Sequence, residues 1–512
     1  MAQATATTEK LNKFEKLKLE KDGLAVRDQI QHFASIGWEA MDPGDREHRL
    51  KWLGIFWRPV TPGRFMARLR IPSGILQSQQ LNALANFLQR YGDQASIDIT
   101  TRQNLQLRGL LLEDTPEFLE RLHAVGLTSV QSGMDNVRNI TGSPVAGLDA
   151  AELFDTRSLI QALQDDLTAA GQGNSEFTNL PRKFNIAIEG GRDNSIHAEI
   201  NDLAFTPAYQ DGTLGFNVWV GGFFSSTRVA PAIPLNAWVP ADHSVIRLSR
   251  AILEVFRDNG SRGNRQKTRL MWLIDEWGIE RFRQVVSEAY GAPLAAAAPE
   301  LMDWEKRDFL GVHPQKQAGL NFVGLHVPVG RLTTEDLYEL ARLADTYGQG
   351  EVRLTVEQNV ILTHIPDAQL PTLLAEPLLT RFSPQPAPLS RGTVSCTGSQ
   401  YCNFALIETK QRAIAIAQSL EAELDLPRPV RIHWTGCPNS CGQPQVADIG
   451  LMGAKVRKDG QMVEGVDIFL GGKVGYDAHL GEKAMTGVAC EDLPDVLRQL
   501  LIERFGAQAR SH

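Results

Sequence analysis

The stretch Phe65-Met-Ala-Arg-Leu-Arg-Ile-Pro-Ser-Gly74 occurs a second time, in residue type, as Phe322-Val-Gly-Leu-His-Val-Pro-Val-Gly330, with one residue of slack at its start. From there the offset holds at 256. Pro72 pairs with Pro328, Gly74 with Gly330, Leu81 with Leu337, Leu84 with Leu340, and Tyr91-Gly92 with Tyr347-Gly348. After a one-residue deletion, Ile97, Ile99, Thr100, Gln103 and Asn104 match Val352, Leu354, Thr355, Gln358 and Asn359. Self-similarity over so long a period means a structural unit used twice. Each copy reads strand–helix–strand. An apolar run ends at Pro-Gly, and Ser78 or Thr333 is placed to cap a helix. Leucines then recur at helical spacing until Gly92 or Gly348. Ile97 and Ile99 alternate with polar residues, as on a half-buried strand.

Downstream the likeness continues more weakly. Leu180-Pro-Arg-Lys-Phe-Asn-Ile-Ala-Ile-Glu-Gly190 matches Leu426-Pro-Arg-Pro-Val-Arg-Ile-His-Trp-Thr-Gly436, and Asp211-Gly212 before Gly221-Gly222 matches Asp459-Gly460 before Gly471-Gly472. The predicted fold class is therefore α+β: two mixed α/β halves related by a pseudo-two-fold. An Ala/Pro-rich stretch, Pro293 to Pro299, separates them, and Phe382 to Pro388 marks a second break.

The whole chain bounds what this fold does. Its 512 residues exceed one compact core. With 43% apolar and 22% charged residues the composition is that of an ordinary globular protein, and no run of about 18 apolar residues is available to cross a bilayer. The early segment Glu9 to Lys21 is rich in Lys and Glu and lacks the apolar core of a signal peptide, so a cytoplasmic location is expected. A net charge of −8 argues against general nucleic-acid binding.

Only five cysteines are present, and four fall in two tight pairs: Cys396-x5-Cys402 and Cys437-x3-Cys441. Structural zinc prefers two to four residues between paired ligands, so x5 fits it poorly. An iron–sulfur cluster needs four thiolates around one compact centre, and the Gly-, Asn- and Pro-containing loops here suit that task. A four-cysteine zinc module and four unrelated thiols remain as alternatives at this point. Cys490 stands alone ahead of a helical C-terminus and reads as a core residue.

With Thr435-Gly-Cys-Pro-Asn-Ser-Cys441 in view, the chain resembles the sirohaem nitrite and sulfite reductase family. Thr100-Thr-Arg-Gln-Asn104, Asn136-Val-Arg-Asn139, Leu180-Pro-Arg-Lys-Phe-Asn185 and the internal duplication carry the same resemblance. It implies a three-domain architecture with cofactors between the halves. The implied map is an N-terminal extension over 1–62, a ferredoxin-like half-domain over 63–145 and a sirohaem-binding domain with a basic substrate face over 146–290. A linker over 291–318, a second ferredoxin-like half-domain over 319–382 and an iron–sulfur and sirohaem domain over 383–512 complete it. The resemblance implies that Cys396, Cys402, Cys437 and Cys441 bind a 4Fe-4S cluster, and that the Cys441 thiolate also ligates the sirohaem iron. It assigns the substrate face to Arg102, Arg138, Lys183 and Asn185.

Elementary chemistry suits that face. A small anion reduced over iron needs fixed positive charge and a proton donor, roles for arginine and lysine. Phe184, Ile186 and Ile188 alternate, which puts Lys183 and Asn185 together on the opposite side. In the second copy Glu357 stands where Arg102 stands in the first. Taken alone, an arginine after a strand is a solvated residue; the joint match reverses that reading. Arg228 and the run Arg257 to Arg269 are further candidates to meet the eight carboxylates of sirohaem. The run also suits docking of an acidic donor, or simple solvation as a helix start.

No flavin or nicotinamide domain is evident, so the expected donor is reduced ferredoxin and the expected substrate nitrite, turned over by a monomer. Sulfite is the alternative. The resemblance implies a second lysine at the position of Asn185 in sulfite reductases and a cysteine near Thr141 in some of them; both differences favour nitrite, and one fewer cation suits a monoanion.

Overall fold

The computed structural model describes residues 10–510. Its centre is the duplicated unit. In the first copy the strands Ile55–Trp57, Phe65–Arg68, Leu105–Leu110 and Ser96–Ile99 lie side by side, and the fifth strand of that sheet, Arg331–Leu332, comes from the other copy. The second sheet mirrors it: Gly311–Pro314, Leu320–Leu325, Val360–Pro366 and Glu351–Leu354 are completed by Ile75–Gln77 from the first copy. Each copy thus lends its partner a strand. The helices Ser78–Leu88 and Thr334–Tyr347 pack on one another, and both sheets bury one continuous apolar core.

The repeat persists in the backbone. Ser73 and Val329 both have positive φ (54° and 48°), and so do Gln103 and Gln358 (52° and 66°). Such angles are uncommon outside glycine and mark turns held by their surroundings. Three local expectations differ. Thr333 caps its helix in a capping box with Asp336, whereas Ser78 is the first helical residue and Gln77 forms the box with Gln80. The strand Ser96–Ile99 is buried on both faces, because Arg108, Arg331 and Lys410 close over Asp98 on the side that alternation would leave to solvent. Within the stretch read as linker, Gly311–Pro314 is an edge strand paired with Leu320–Leu325.

Two further five-stranded sheets share one topology. In the first, Thr141–Gly142, Ile186–Ile188 and Leu203–Gln210 run parallel, followed by antiparallel Thr213–Val220 and Ile233–Pro240. In the second, Thr393–Ser395, Ile432–Thr435 and Ile449–Lys458 run parallel, followed by Gln461–Leu470 and Glu482–Ala489. Each has its own apolar core, with Cys490 packed at the edge of the second.

At the N-terminus, apart from Glu9, which lies outside the described residues, the Lys/Glu-rich segment contains the helix Lys13–Glu20. Lys18 on that helix pairs with buried Asp135 at 2.9 Å, anchoring the extension to the first half. Among the described residues no helix is long and apolar enough to cross a membrane.

Candidate active site

The site forms where the parallel strands of the second α/β sheet end. Cys396 follows Thr393–Ser395 and Cys437 follows Ile432–Thr435, so two thiols emerge from the carboxyl ends of adjacent strands. The Cys396 amide donates to the Trp434 carbonyl at 3.0 Å, and the Gly436 amide donates to the Cys396 sulfur at 3.1 Å. A Cβ on Gly442 would lie 2.0 Å from the Trp434 carbonyl, so only glycine lets the chain fold back after Cys441. Burial pushes the Cys437 thiol up to about 12, and the three other thiols add to that rise. Cys437 therefore lies within electrostatic reach of the three other thiols, as one polynuclear centre requires. Among the described residues no three His, Cys, Asp or Glu side chains form a site for a single metal ion.

Cys396 and Cys441 open onto a cavity of about 240 Å³ between the halves. Facing them are Arg102, Arg138, Lys183 and Asn185, so the chain brings together cations and thiols more than 200 residues apart in sequence. Arg102 sits in the tight turn between Ser96–Ile99 and Leu105–Leu110, closed by the Gln103 amide donating to the Thr100 carbonyl at 3.1 Å. Its Nη1 donates to Asn201 at 3.0 Å. Arg138 is placed by its own amide, which donates to the Phe184 carbonyl at 2.8 Å, and its Nη1 donates to the Ser132 carbonyl at 2.9 Å. Lys183 and Asn185 lie just ahead of the strand Ile186–Ile188. The Asn185 side-chain oxygen accepts from Arg102 at 2.8 Å and from Arg269 at 3.2 Å, the amide orientation that satisfies both its ends.

These cations are crowded and buried. Burial, then the charge on Arg269, holds Lys183 well below the usual lysine value. The same two causes bring Arg102 down to about 10. Burial and Arg68 lower Arg138. An anion in the cavity relieves all three, since each shift reflects charge without a partner.

Two cavity cations had not been singled out from sequence. Arg68 ends the repeat strand Phe65–Arg68, and Lys410 starts the helix Lys410–Glu423, 3.6 Å from Asp98. Arg68 lies inside the quoted repeat, where the constant offset sets it against Gly324 of the other copy, so this cation belongs to the first copy alone. Five cations thus line the cavity against one carboxylate, Asp98. Asp98 is itself engaged by Arg108, Arg331 and Lys410. A polyanionic group such as a carboxylate-rich tetrapyrrole fits this excess of positive charge, with the Cys441 thiol exposed at the same cavity.

Arg228 does not reach this cavity. Its guanidinium pairs with Asp275 and stacks on Trp272 with 4.8 Å to the ring centre. The run Arg257 to Arg269 leads into the helix Leu270–Trp277, with Arg269 at its N-cap, but it is not a merely solvated helix start, because three of its arginines are ion-paired. Arg262 pairs with Glu15, Arg265 with Asp135 and Arg269 with Asp202, and all three acids are buried. The basic run ties the N-terminal helix and the cavity wall to the first α/β domain.

Comparison with known proteins agrees with this geometry. The family model for the nitrite and sulphite reductase 4Fe-4S domain matches residues 133–294 and 387–503, and that for the nitrite/sulfite reductase ferredoxin-like half domain matches 59–125 and 313–379. A ferredoxin–nitrite reductase of Leptolyngbya laminosa is 61% identical over 98% of both chains. The chloroplastic ferredoxin–nitrite reductase of Zea mays is 53% identical over 98% of this chain and 90% of its own length. The solved structure of Mycobacterium tuberculosis NirA protein superposes with a TM-score of 0.90 at 32% identity, covering 98% of this chain and 94% of its own.

Proposed function

The chain belongs to the nitrite and sulphite reductase family, and within it we propose that the protein reduces nitrite to ammonium with electrons from reduced ferredoxin. The observation that carries this reading is the single cavity in which exposed Cys441 faces Arg102, Arg138, Lys183 and neutral Asn185. The relatives named above, both ferredoxin–nitrite reductases, support the same substrate and donor.

Sirohaem joined to a 4Fe-4S cluster would supply the electron path and the redox-active iron for a six-electron reduction. The chain's own residues do the rest. Cys396, Cys402, Cys437 and Cys441 would hold the cluster, and Cys441, exposed at the cavity, would also hold the haem. Arg102 and Arg138 hold the anion as fixed charges. Lys183, with its lowered proton affinity, gives protons to the departing oxygens, which leave as water. Asn185 adds a dipole and no charge, which suits a monoanion. We further infer a monomer acting in the cytoplasm, as the electron path needs no second subunit.

The test is turnover of purified holoenzyme with reduced ferredoxin, comparing kcat/KM for nitrite and sulfite. A strong preference for nitrite with ammonium as product is the expected outcome. A preference for sulfite overturns the substrate while leaving the fold and cofactors in place.

A further inference from the structure

Behind the cavity wall lies a buried charge cluster. Asp202 has no exposed surface and uses both carboxylate oxygens. Oδ1 accepts from Arg269 Nε at 3.0 Å, while Oδ2 accepts from Arg269 Nη2 and from the Asn185 backbone N–H at 2.8 Å. Arg269 is 4% exposed, and its face lies over the Phe223 ring at 5.0 Å. A bidentate pair with a ring packed on it leaves the guanidinium little freedom. The same Nη2 that binds Asp202 reaches the Asn185 oxygen. Asn201, the neighbour of Asp202, holds Arg102 from the other side at 3.0 Å. Asn185 thus bridges two arginines, each fixed by one member of the Asn201-Asp202 pair.

We propose that Arg269, locked onto Asp202, is a positioning and specificity-determining residue of the anion cavity: it orients Asn185 and bars a cation from position 185. The inference rests on the cavity holding the substrate anion, as proposed above. Its physical core is the charge count. A lysine at 185 would bring a third cation against Arg102 and Arg269 in a site that is 3% exposed, with one carboxylate already committed to Arg269. Like charges this close in a buried site repel strongly. With Arg269 gone, Asp202 is released to pair with that lysine. Substitution at 185 alone therefore under-delivers, and position 269 decides how much of a dianion preference it yields.

The experiment is optical titration of the holoenzyme with nitrite and with sulfite, which reads anion affinity without turnover. N185K is expected to tighten sulfite binding less than about threefold, and N185K/R269Q to tighten it at least about tenfold beyond N185K. N185K/R269K, which keeps the charge, should match N185K. R269Q alone should loosen nitrite about tenfold with the cofactor spectrum intact. If R269Q fails to load cofactor, D202N/R269Q removes both charges together and should show the same loosening. Equal sulfite affinity in N185K and N185K/R269Q overturns the specificity role. Unchanged nitrite affinity in R269Q, or in D202N/R269Q where R269Q cannot be loaded, overturns the positioning role. Failure of wild-type turnover on nitrite is a separate result, bearing on the proposed function alone.

Discussion

His197 Nδ1 donates to the side-chain oxygen of Gln443 across 2.9 Å, and the two residues occupy the same place in the two halves. Each has left-handed φ (55° and 59°), and each caps a single 3-10 turn, Ala198–Ile200 or Pro444–Val446. Gln443 faces the thiol-bearing cavity. His197 faces a second cavity of about 580 Å³, lined also by Glu357 and Arg431, the counterparts of Arg102 and Asn185. The molecular pseudo-dyad therefore passes close to this hydrogen bond. Burial lowers the His197 pKa, so the ring is neutral and its donor is committed to Gln443.

Replacing His197 by Leu leaves the Gln443 oxygen buried without a donor. The expected cost is about 1–3 kcal/mol of stability. Chemical denaturation of the holoenzyme checks it, with nitrite KM moving less than about threefold because the ring does not enter the substrate cavity. A large KM change with no loss of stability would contradict this assignment.

If Lys183 is the proton donor proposed above, Lys183→Met should lower kcat by about 10² to 10⁴ while the cofactor spectrum is retained, since no cysteine is touched. Lys183→Arg should not restore the rate, because arginine holds its proton too tightly to give it up. Steady-state kinetics with reduced ferredoxin measure both, and a rate within about threefold of wild type in Lys183→Met removes the donor role.

The five cysteines divide cleanly. Cys402→Ala should abolish the visible absorbance of the cluster, as one of four thiolates is gone. Cys490→Ala should keep the full spectrum, because Cys490 packs against the apolar core of the C-terminal domain. Absorbance and iron content of the purified variants decide the matter; loss of iron in Cys490→Ala would redraw the ligand set.

The two halves, the four thiols and the cationic face were legible because each rests on local pattern: a constant offset, tight cysteine spacing, alternation at Phe184-Asn185-Ile186. What escaped was non-local. The exchange of Ile75–Gln77 for Arg331–Leu332 pairs strands more than 230 residues apart and leaves no periodic trace. Lys410 carries no local signal, and its buried ammonium is met by Asp98 and by the Val329 and Ser395 carbonyls, all distant in sequence or on another element. Arg228 shows the opposite case: its engagement with Asp275 and Trp272, away from the thiol-bearing cavity, depends on partners more than 40 residues on. The partners of the run Arg257 to Arg269 are Glu15, Asp135 and Asp202, all distant in sequence.

Asp135 is the keystone of that run. Burial alone would raise its carboxyl, but Arg265 and Lys18 overcome burial and hold it below the usual carboxylate range. Asp135→Ala should cost about 3–5 kcal/mol, because Arg265 loses its ion pair and Lys18 loses one of its two carboxylate partners. The pH sign follows from the depressed value. The stability that Asp135 contributes is present above the unfolded carboxylate pKa and is lost as pH falls below it. Wild type should therefore lose more stability than Asp135→Ala between about pH 5 and pH 3; parallel acid-unfolding curves would show that the ion pair contributes nothing net.

Glu189 carries the reverse sign. It follows the strand Ile186–Ile188 with no exposed surface, accepts from the Gly190 and Gly191 amides at 3.0 and 2.9 Å, and accepts from Ser195 at 2.8 Å. Burial, then the charge on Asp193, pushes its carboxyl up to about 7. A raised folded value means that the folded state holds a proton the unfolded chain releases. The stabilisation is complete below the unfolded value near 4.5 and is lost as pH rises through about 7. Glu189→Gln keeps the acceptor for both amides and removes the titration. Wild type should lose a few kcal/mol, about 3, between pH 5 and pH 8 relative to Glu189→Gln. Melting temperatures of the two proteins across that range measure the difference, and a gap independent of pH would mean that Glu189 is ionised in the fold at every pH tested.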